Sequence, residues 1–243
     1  MRAAPRDADG TPGSIAFPAR EQALYPSYKS LDEFIDIDAL QSLDAFLTER
    51  IERHIAAEQD SFFLNEHRLD DATPYRPGVR EIWLTRTRPG TPYDYLDLDK
   101  PELWIRTAET QEFAPLMTFI ERLPFKATGR TLIIYDTGGK EVPAHRDHLD
   151  PERCHEFVWL RTNLNKSLYM LDPQSGKKLH VDSYSAWFDS VNQYHGANAS
   201  NGLSFSIRVD GIFSDDLRTR IPFAQRNRSA TPSIWALAST HEL

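Results

Sequence analysis

The sequence predicts a mainly β fold with flanking helices: a double-sheet jelly roll or related barrel carrying its helices on one outer face. Helical periodicity fills the front half. From about residue 130 the period becomes strand-like, with short aromatic and β-branched segments separated by turn chemistry.

In the front half, Ser30-Leu-Asp-Glu33 reads as a capping box. Leu40, Leu43, Phe46, Leu47, Ile51 and Ile55 then recur at helical spacing, which predicts one amphipathic helix from about Asp38 to Ala57. Leu116, Met117, Ile120 and Leu123 repeat the pattern more briefly, between Pro115 near the start and Pro124 past the end. Both stripes are expected to face the core. The strand segments are "TLIIYD", "EFVWLRTNL", "SLYML", "KKLHV", "SAWFDS" and "SFSIRVDGIF", with turns at Asp172 to Gly176 and Asn198 to Gly202. Such a barrel can hold a small ligand between its sheets.

At 243 residues and 27.9 kDa, with no repeat and no Pro/Gly/Ser-rich linker, the chain suits one domain. The expected organisation is a flexible segment over 1–29 and a single domain over 30–243. That domain has a helical front part (30–129), a β core (130–213) and a C-terminal segment (214–243) that could be a lid or a partner surface. The opening "MRAAPRDADGTPGS" is polar and reads as a tail rather than a signal peptide. The lone Cys154 excludes an internal disulfide and a Cys-based zinc site, so any metal must use His, Asp or Glu. No apolar run reaches the roughly 18 residues of a membrane span, and a soluble cytoplasmic protein is expected. A net charge of -8 and a pI near 5.5 oppose binding to a phosphate backbone, so no nucleic-acid partner is expected. The sequons at Asn165, Asn198 and Asn227 read as chance matches in such a protein.

The stretch "VPAHRDHLD" carries the chemistry. His145 and Asp147 lie two apart, and in an extended strand both project to one face and can grip one ion. His195 in "NQYHGANAS", at the end of the apolar segment "SAWFDS", is the best third ligand. Two imidazoles and one carboxylate leave open positions on a metal, the facial arrangement of non-haem Fe(II) oxygenases. Arg208 follows thirteen residues later, where alternation sets Ser206, Arg208 and Asp210 on one face of a strand. A buried arginine there calls for an anion, and a carboxylate suits its fork; a structural Asp or Glu would serve as well as a ligand.

Taken in order, "AHRDH", "FVWLRTNL", "KLHVDSYSAWFDSVNQYHGANAS" and "SIRVDG" resemble the Fe(II)- and 2-oxoglutarate-dependent dioxygenases, most closely the aspartyl/asparaginyl β-hydroxylase-like branch that includes the proline cis-hydroxylases. The likeness spans about Arg130 to Phe213. It implies a double-stranded β-helix (jelly-roll, cupin-like) core, with His145, Asp147 and His195 as metal ligands. It implies Fe(II) and O2 with 2-oxoglutarate as co-substrate, Arg208 on the distal carboxylate of 2-oxoglutarate, and oxidation of an amino-acid-like or peptide substrate. Asn163 stands where that family's strand has a histidine.

Arg161 would share a strand face with Asn163 and is a secondary candidate for 2-oxoglutarate or substrate; a partner at a sheet edge is the other reading. Tyr135 lines the pocket or packs in the core. Arg86, Arg88 and Arg146 are candidates for a substrate carboxylate, and Asp94, Asp97 and Asp99 for an amine, though exposed charge without function is the ordinary case. His148 would project away from Asp147. His155 and His180 lack a carboxylate at ligand spacing, and His54, His67 and His241 lie outside the barrel region. Two rival functions are a cupin-like metal enzyme without a keto acid, and a non-catalytic barrel in which the three ligands would not converge. Oligomeric state is left open.

Overall fold

The computed structural model describes residues 28–57, 79–90, 98, 100–137, 139, 141–147, 155–172 and 175–221. The eight strands β5 (Phe125–Asp136), β6 (Val142–His145), β7 (Phe157–Leu160), β8 (Leu168–Leu171), β9 (Lys178–Val181), β10 (Ser185–Phe188), β11 (His195–Ala197) and β12 (Ser204–Phe213) divide between two sheets. In the larger sheet the order is β10-β7-β12-β5, and in the smaller one β6-β11-β8-β9. The chain thus crosses between the sheets after β5, β6, β7, β9, β10 and β11, and all pairings are antiparallel. This is a double-stranded β-helix, the double-sheet jelly roll that the strand pattern predicts and the core that the resemblance implies.

Two further strands widen the larger sheet. β1 (Tyr28–Ser30) pairs with β10 and β2 (Val79–Trp83) with β5, while β3 (Thr85–Thr87) and β4 (Trp104–Arg106) form a separate hairpin. Tyr28 and Lys29, expected in the flexible segment, are therefore strand residues; residues 1–27 of that segment lie outside the described ones. Asp32 secures this entry, its Oδ1 accepting from Ser185 N and Oγ at 2.7 Å each and its Oδ2 from Tyr184 N at 3.1 Å.

The expected long helix is two helices, α1 (Ile37–Ser42) and α2 (Asp44–Ala56), broken at Leu43. Ser30 does not cap them. Asp36 is the N-cap, its Oδ1 accepting from Ala39 N at 3.0 Å, while Ser30 Oγ receives Asp32 N across a turn. The apolar stripe survives the break. Leu40, Leu47 and Ile51 are fully buried, each worth roughly 1.5–3 kcal/mol, whereas Ile55 at the end is exposed. A third helix, α3 (Ala114–Ile120), follows Phe113 with Pro115 in its first turn, as the sequence predicts. A last one, α4 (Asp215–Arg220), is capped by Ser214.

These helices share one core with Ile133, Tyr135, Val158, Leu160, Ile207 and Val209 of the larger sheet. Residues opposite each other across antiparallel strands point to one face. Arg208 of β12 pairs with Leu132 of β5 and with Trp159 of β7, which places these three on the other face, toward the interior between the sheets. Tyr135 consequently packs with the helices and does not line the interior.

Gly196 sets the spacing inside the smaller sheet. A Cβ there would stand 2.5 Å from Tyr169 Oη and 2.6 Å from the carbonyl oxygen of Val142, so β11 lies where only a bare backbone fits. Gly196→Ala is expected to destabilise the protein by about 1–3 kcal/mol. Thermal unfolding should show Tm falling by roughly 3–10 °C; an unchanged Tm would mean that the strands yield without cost.

Candidate metal centre

His145, the last residue of β6, and His195, the first of β11, stand opposite each other in the antiparallel register. Their ring centroids are 4.4 Å apart. Asp147 lies just past the end of β6, and its backbone N–H donates to Ser190 O at 2.8 Å. One ligand atom from each of the three side chains lies within 4.8 Å of the others, and among the described residues no other such group of three forms. The non-catalytic reading, in which these side chains stay apart, loses its geometric premise.

The imidazoles are oriented for ligation. His145 Nδ1 donates to Pro143 O at 2.9 Å and His195 Nδ1 to Gln193 O at 3.0 Å. A carbonyl oxygen only accepts, so each ring carries a proton on Nδ1, and in the neutral form its lone pair is on Nε2. His195 Nε2 faces Asp147 Oδ1 at 3.8 Å. Phe188 of β10 covers the His195 ring at 4.9 Å, which keeps one side of the centre apolar.

The other carboxylate oxygen is held separately. Arg208 Nη1 donates to Asp147 Oδ2 at 2.9 Å, and Arg208 Nε to Asp210 Oδ1 at 3.0 Å. Arg130 of β5 then donates to Asp210 Oδ2, also at 3.0 Å. Arg208 Nη2 is buried with no hydrogen-bond partner, and the guanidinium carbon sits 4.0 Å from the Phe157 ring centroid. Two arginines and two aspartates thus alternate in a chain in which Arg130, Asp210 and Arg208 are buried and Asp147 is half-buried. Ser206, two residues before Arg208 and on the same face, is half-buried opposite Ile134.

Sequence reasoning missed the turn that positions two of the three candidate ligands, His195 and Asp147. Asp189, Ser190, Asn192 and Gln193 between β10 and β11 are all buried. Asp189 accepts from Asn192 N and Nδ2 at 3.2 and 2.9 Å, and Gln193 Nε2 donates to the carbonyls of Leu171 and Tyr194 at 2.9 and 3.0 Å. The same turn supplies the carbonyls that receive His195 Nδ1 and Asp147 N. A run of four polar residues in five, directly after a buried strand, was the available signal.

Arg161 does not serve the interior. Strand β7 ends at Leu160, so Arg161 and Asn163 share no strand face. All three Arg161 nitrogens donate to backbone carbonyls: Nε to Ser183 at 2.9 Å, Nη1 to Lys166 at 3.1 Å and Nη2 to Val181. These carbonyls lie where the chain leaves its strands, and a buried guanidinium satisfies them. Asn163 Nδ2 donates to Asp44 Oδ1 at 2.7 Å, which Thr162 Oγ1 also reaches, docking α2 on this loop.

Arg146 stacks on Tyr194 at 4.6 Å, and Tyr194 packs with Ala144, Tyr169 and Leu171 on the side of the smaller sheet away from the histidines. Arg86 and Arg88 are exposed, the latter donating through Nε to Glu102 O at 2.8 Å. His54 and His155 are buried, the carbonyl of His155 receiving Trp187 Nε1 at 3.0 Å. His180 is exposed on β9, 2.8 Å from Ser167 Oγ. His67, Asp94, Asp97, Asp99, His148, Cys154, His241 and the C-terminal segment from 222 onward lie outside the described residues.

Burial pushes the Asp189 carboxyl up from 3.8 to about 6, against hydrogen bonds from Asn192 and the nearby Arg146, which pull it down. The native state therefore holds this proton more tightly than the unfolded chain does, and the stability it contributes is lost as pH rises from about 4 through about 6. Asp189→Asn, which cannot ionise, should gain Tm relative to the parent across that window. Parallel Tm-against-pH curves would show that Asp189 does not titrate there.

No protein-family model matches the chain, and no curated protein matches it. Solved structures do. A Pseudomonas putida prolyl-4-hydroxylase aligns with 16% identity over 79% of this chain and 95% of its own, at a TM-score of 0.42. A Trichoplax adhaerens prolyl hydroxylase in complex with a hypoxia inducible factor oxygen degradation domain peptide aligns with 10% identity over 84% and 90%, at 0.45. A Pseudoaminobacter salicylatoxidans salicylate 1,2-dioxygenase aligns with 11% identity over 74% and 34%, at 0.32.

Proposed function

We propose that the chain is a non-haem Fe(II)- and 2-oxoglutarate-dependent oxygenase. The observation that carries this reading is the convergence of His145, Asp147 and His195 at the mouth of a double-stranded β-helix, with both imidazoles presenting Nε2. Two neutral imidazoles and one carboxylate fit a divalent first-row ion and leave part of its coordination sphere to other ligands. Iron bound there with a chelating 2-oxo acid supplies O2 activation and oxidation of an unactivated C–H bond, by default hydroxylation.

The protein's own residues do the rest. His145, Asp147 and His195 hold the ion. Arg208 offers Nη2, buried and without a hydrogen-bond partner, to the distal carboxylate of 2-oxoglutarate, with Ser206 on the same face. That offer is narrower than a two-pronged fork, because Nη1 and Nε are engaged by Asp147 and Asp210. Phe157, Trp159 and Phe188 line the interior beside the centre, in mutual ring contacts of 5.2 and 6.4 Å, and limit water there. The substrate class is an amino acid or an amino-acid-derived or peptidyl compound, supported by the "AHRDH" to "SIRVDG" resemblance.

The test is an anaerobic titration with Fe(II) and then 2-oxoglutarate, following the weak visible charge-transfer band of a keto acid chelated to iron. The band should form in the parent and vanish in His195→Ala. At saturating Fe(II), Arg208→Met should need about tenfold to a hundredfold more 2-oxoglutarate, the worth of a charge-assisted hydrogen bond. Tight iron binding without a band would favour a cupin-like enzyme that uses no keto acid.

A further inference from the structure

Resting on the reading of the triad as a metal centre, we propose that Arg208, Asp210 and Arg130 are positioning residues for the metal ligand Asp147. The chain Arg130–Asp210–Arg208 holds Asp147 Oδ2 through Arg208 Nη1 and so fixes the orientation in which Asp147 presents Oδ1 beside His195.

The two oxygens of Asp147 have different surroundings. Oδ1 faces His195 Nε2 at 3.8 Å, and Oδ2 takes Arg208 Nη1 at 2.9 Å. A hydrogen bond to one oxygen restricts rotation of the carboxylate, and outer hydrogen bonds of this kind orient ligands at metal sites. Arg208 is itself fixed. Its Nε is held by Asp210, whose side chain is 1% exposed, and its guanidinium lies on Phe157. Asp210 is pinned from the far side by Arg130, whose guanidinium also lies 5.8 Å from the Trp83 ring centroid. The strand order explains the reach. β12 lies between β7 and β5, so Asp210 meets Arg130 across one pair and Phe157 across the other. The register between β12 and β5 shifts between Val209 and Gly211, where Asp210 stands.

Charge and positioning predict opposite signs for metal affinity, which makes the idea testable without turnover. Removing a guanidinium beside a cation site would, by charge alone, tighten metal binding; removing an orienting hydrogen bond weakens it, typically about tenfold or more. The probe is Co(II) alone, titrated into the full chain and followed by its visible d–d absorption, with folding of each variant checked by thermal unfolding. Arg208→Lys keeps the charge but cannot span Asp147 and Asp210 together. It is expected to lose about tenfold in Co(II) affinity and to change the absorption envelope. Arg130→Met, a residue removed from the ion, should weaken binding in the same direction by a smaller factor.

Co(II) bound as tightly by Arg208→Lys and Arg130→Met as by the parent, or more tightly, with an unchanged spectrum, would overturn the positioning role and leave the metal centre standing. A parent that binds no Co(II) would instead remove the metal-centre reading, and this inference with it. Should Arg208→Lys fail to fold, Arg130→Met decides alone by the sign of its effect.

Discussion

The site depends on the pairing of β6 with β11, which sets His195 directly opposite His145. Side chains alternate along a strand, so a slip of one residue would turn one imidazole to the far face and leave no bidentate pair. Both strands are short, at four and three residues, and their ladder alone is a weak guarantee of register. The guarantee comes from neighbours. Gly196 admits only a bare backbone against Tyr169 and Val142, and β8 pairs with the other edge of β11 through Met170, Tyr169 and Leu168. The buried turn from Asp189 to Tyr194 then fixes how β11 is entered, through Gln193 and the carbonyls it arranges. Tyr169 belongs to this system as well. Burial pushes its hydroxyl pKa up and keeps it neutral, where it donates to Glu141 and Val142.

Polar atoms gathered this densely need compensation, and the larger sheet supplies it. The negative charge of Asp147 is answered by a hydrogen-bonded guanidinium from β12. Arg208 answers Asp147, Asp210 answers Arg208, and Arg130 answers Asp210. Removing one member of a buried pair leaves a charge that typically costs about 3–5 kcal/mol, so the chain is held together by the cost of each single break. The interior aromatic rings exclude water from the same region and strengthen these contacts.

Much of the candidate site was legible in the sequence, because the metal ligation proposed for it restricts residue types more than packing does. His-x-Asp, a later His and an Arg on a strand of alternating character survive as a pattern whatever the loops do. The fold class was legible for a similar reason: β5, β8, β10 and β12 are apolar runs that announce themselves. β6 and β11 were not, since "VPAH" and "HGA" hold proline, glycine and histidine and carry no strand signature. The helix break at Leu43 was hidden because the apolar stripe continues through it; the break shows only in the backbone and in Asp44, which reaches across to Thr162 and Asn163. Arg161 was misplaced because a strand pattern does not say where the strand stops. Its three carbonyl partners come from residues 166, 181 and 183, distant pairings that no local reading could supply.

The contrast between Arg161 and Arg208 shows how a buried arginine is to be read. Both are nearly inaccessible, at 3% and 7% exposure, and both lie over an aromatic ring. Burial alone therefore does not mark an anion site. What separates them is the chemistry of their acceptors. Arg161 gives its hydrogen bonds to neutral carbonyls, which use its nitrogens to close a turn; burial lowers its pKa, and Asp182 and Asp32 act on it through space. Arg208 meets two carboxylates, one of them in the triad, and retains a buried nitrogen without a hydrogen bond. A buried donor left over in a low-dielectric interior is costly unless something uses it, and here it stands within one side chain of the three residues that could hold a metal.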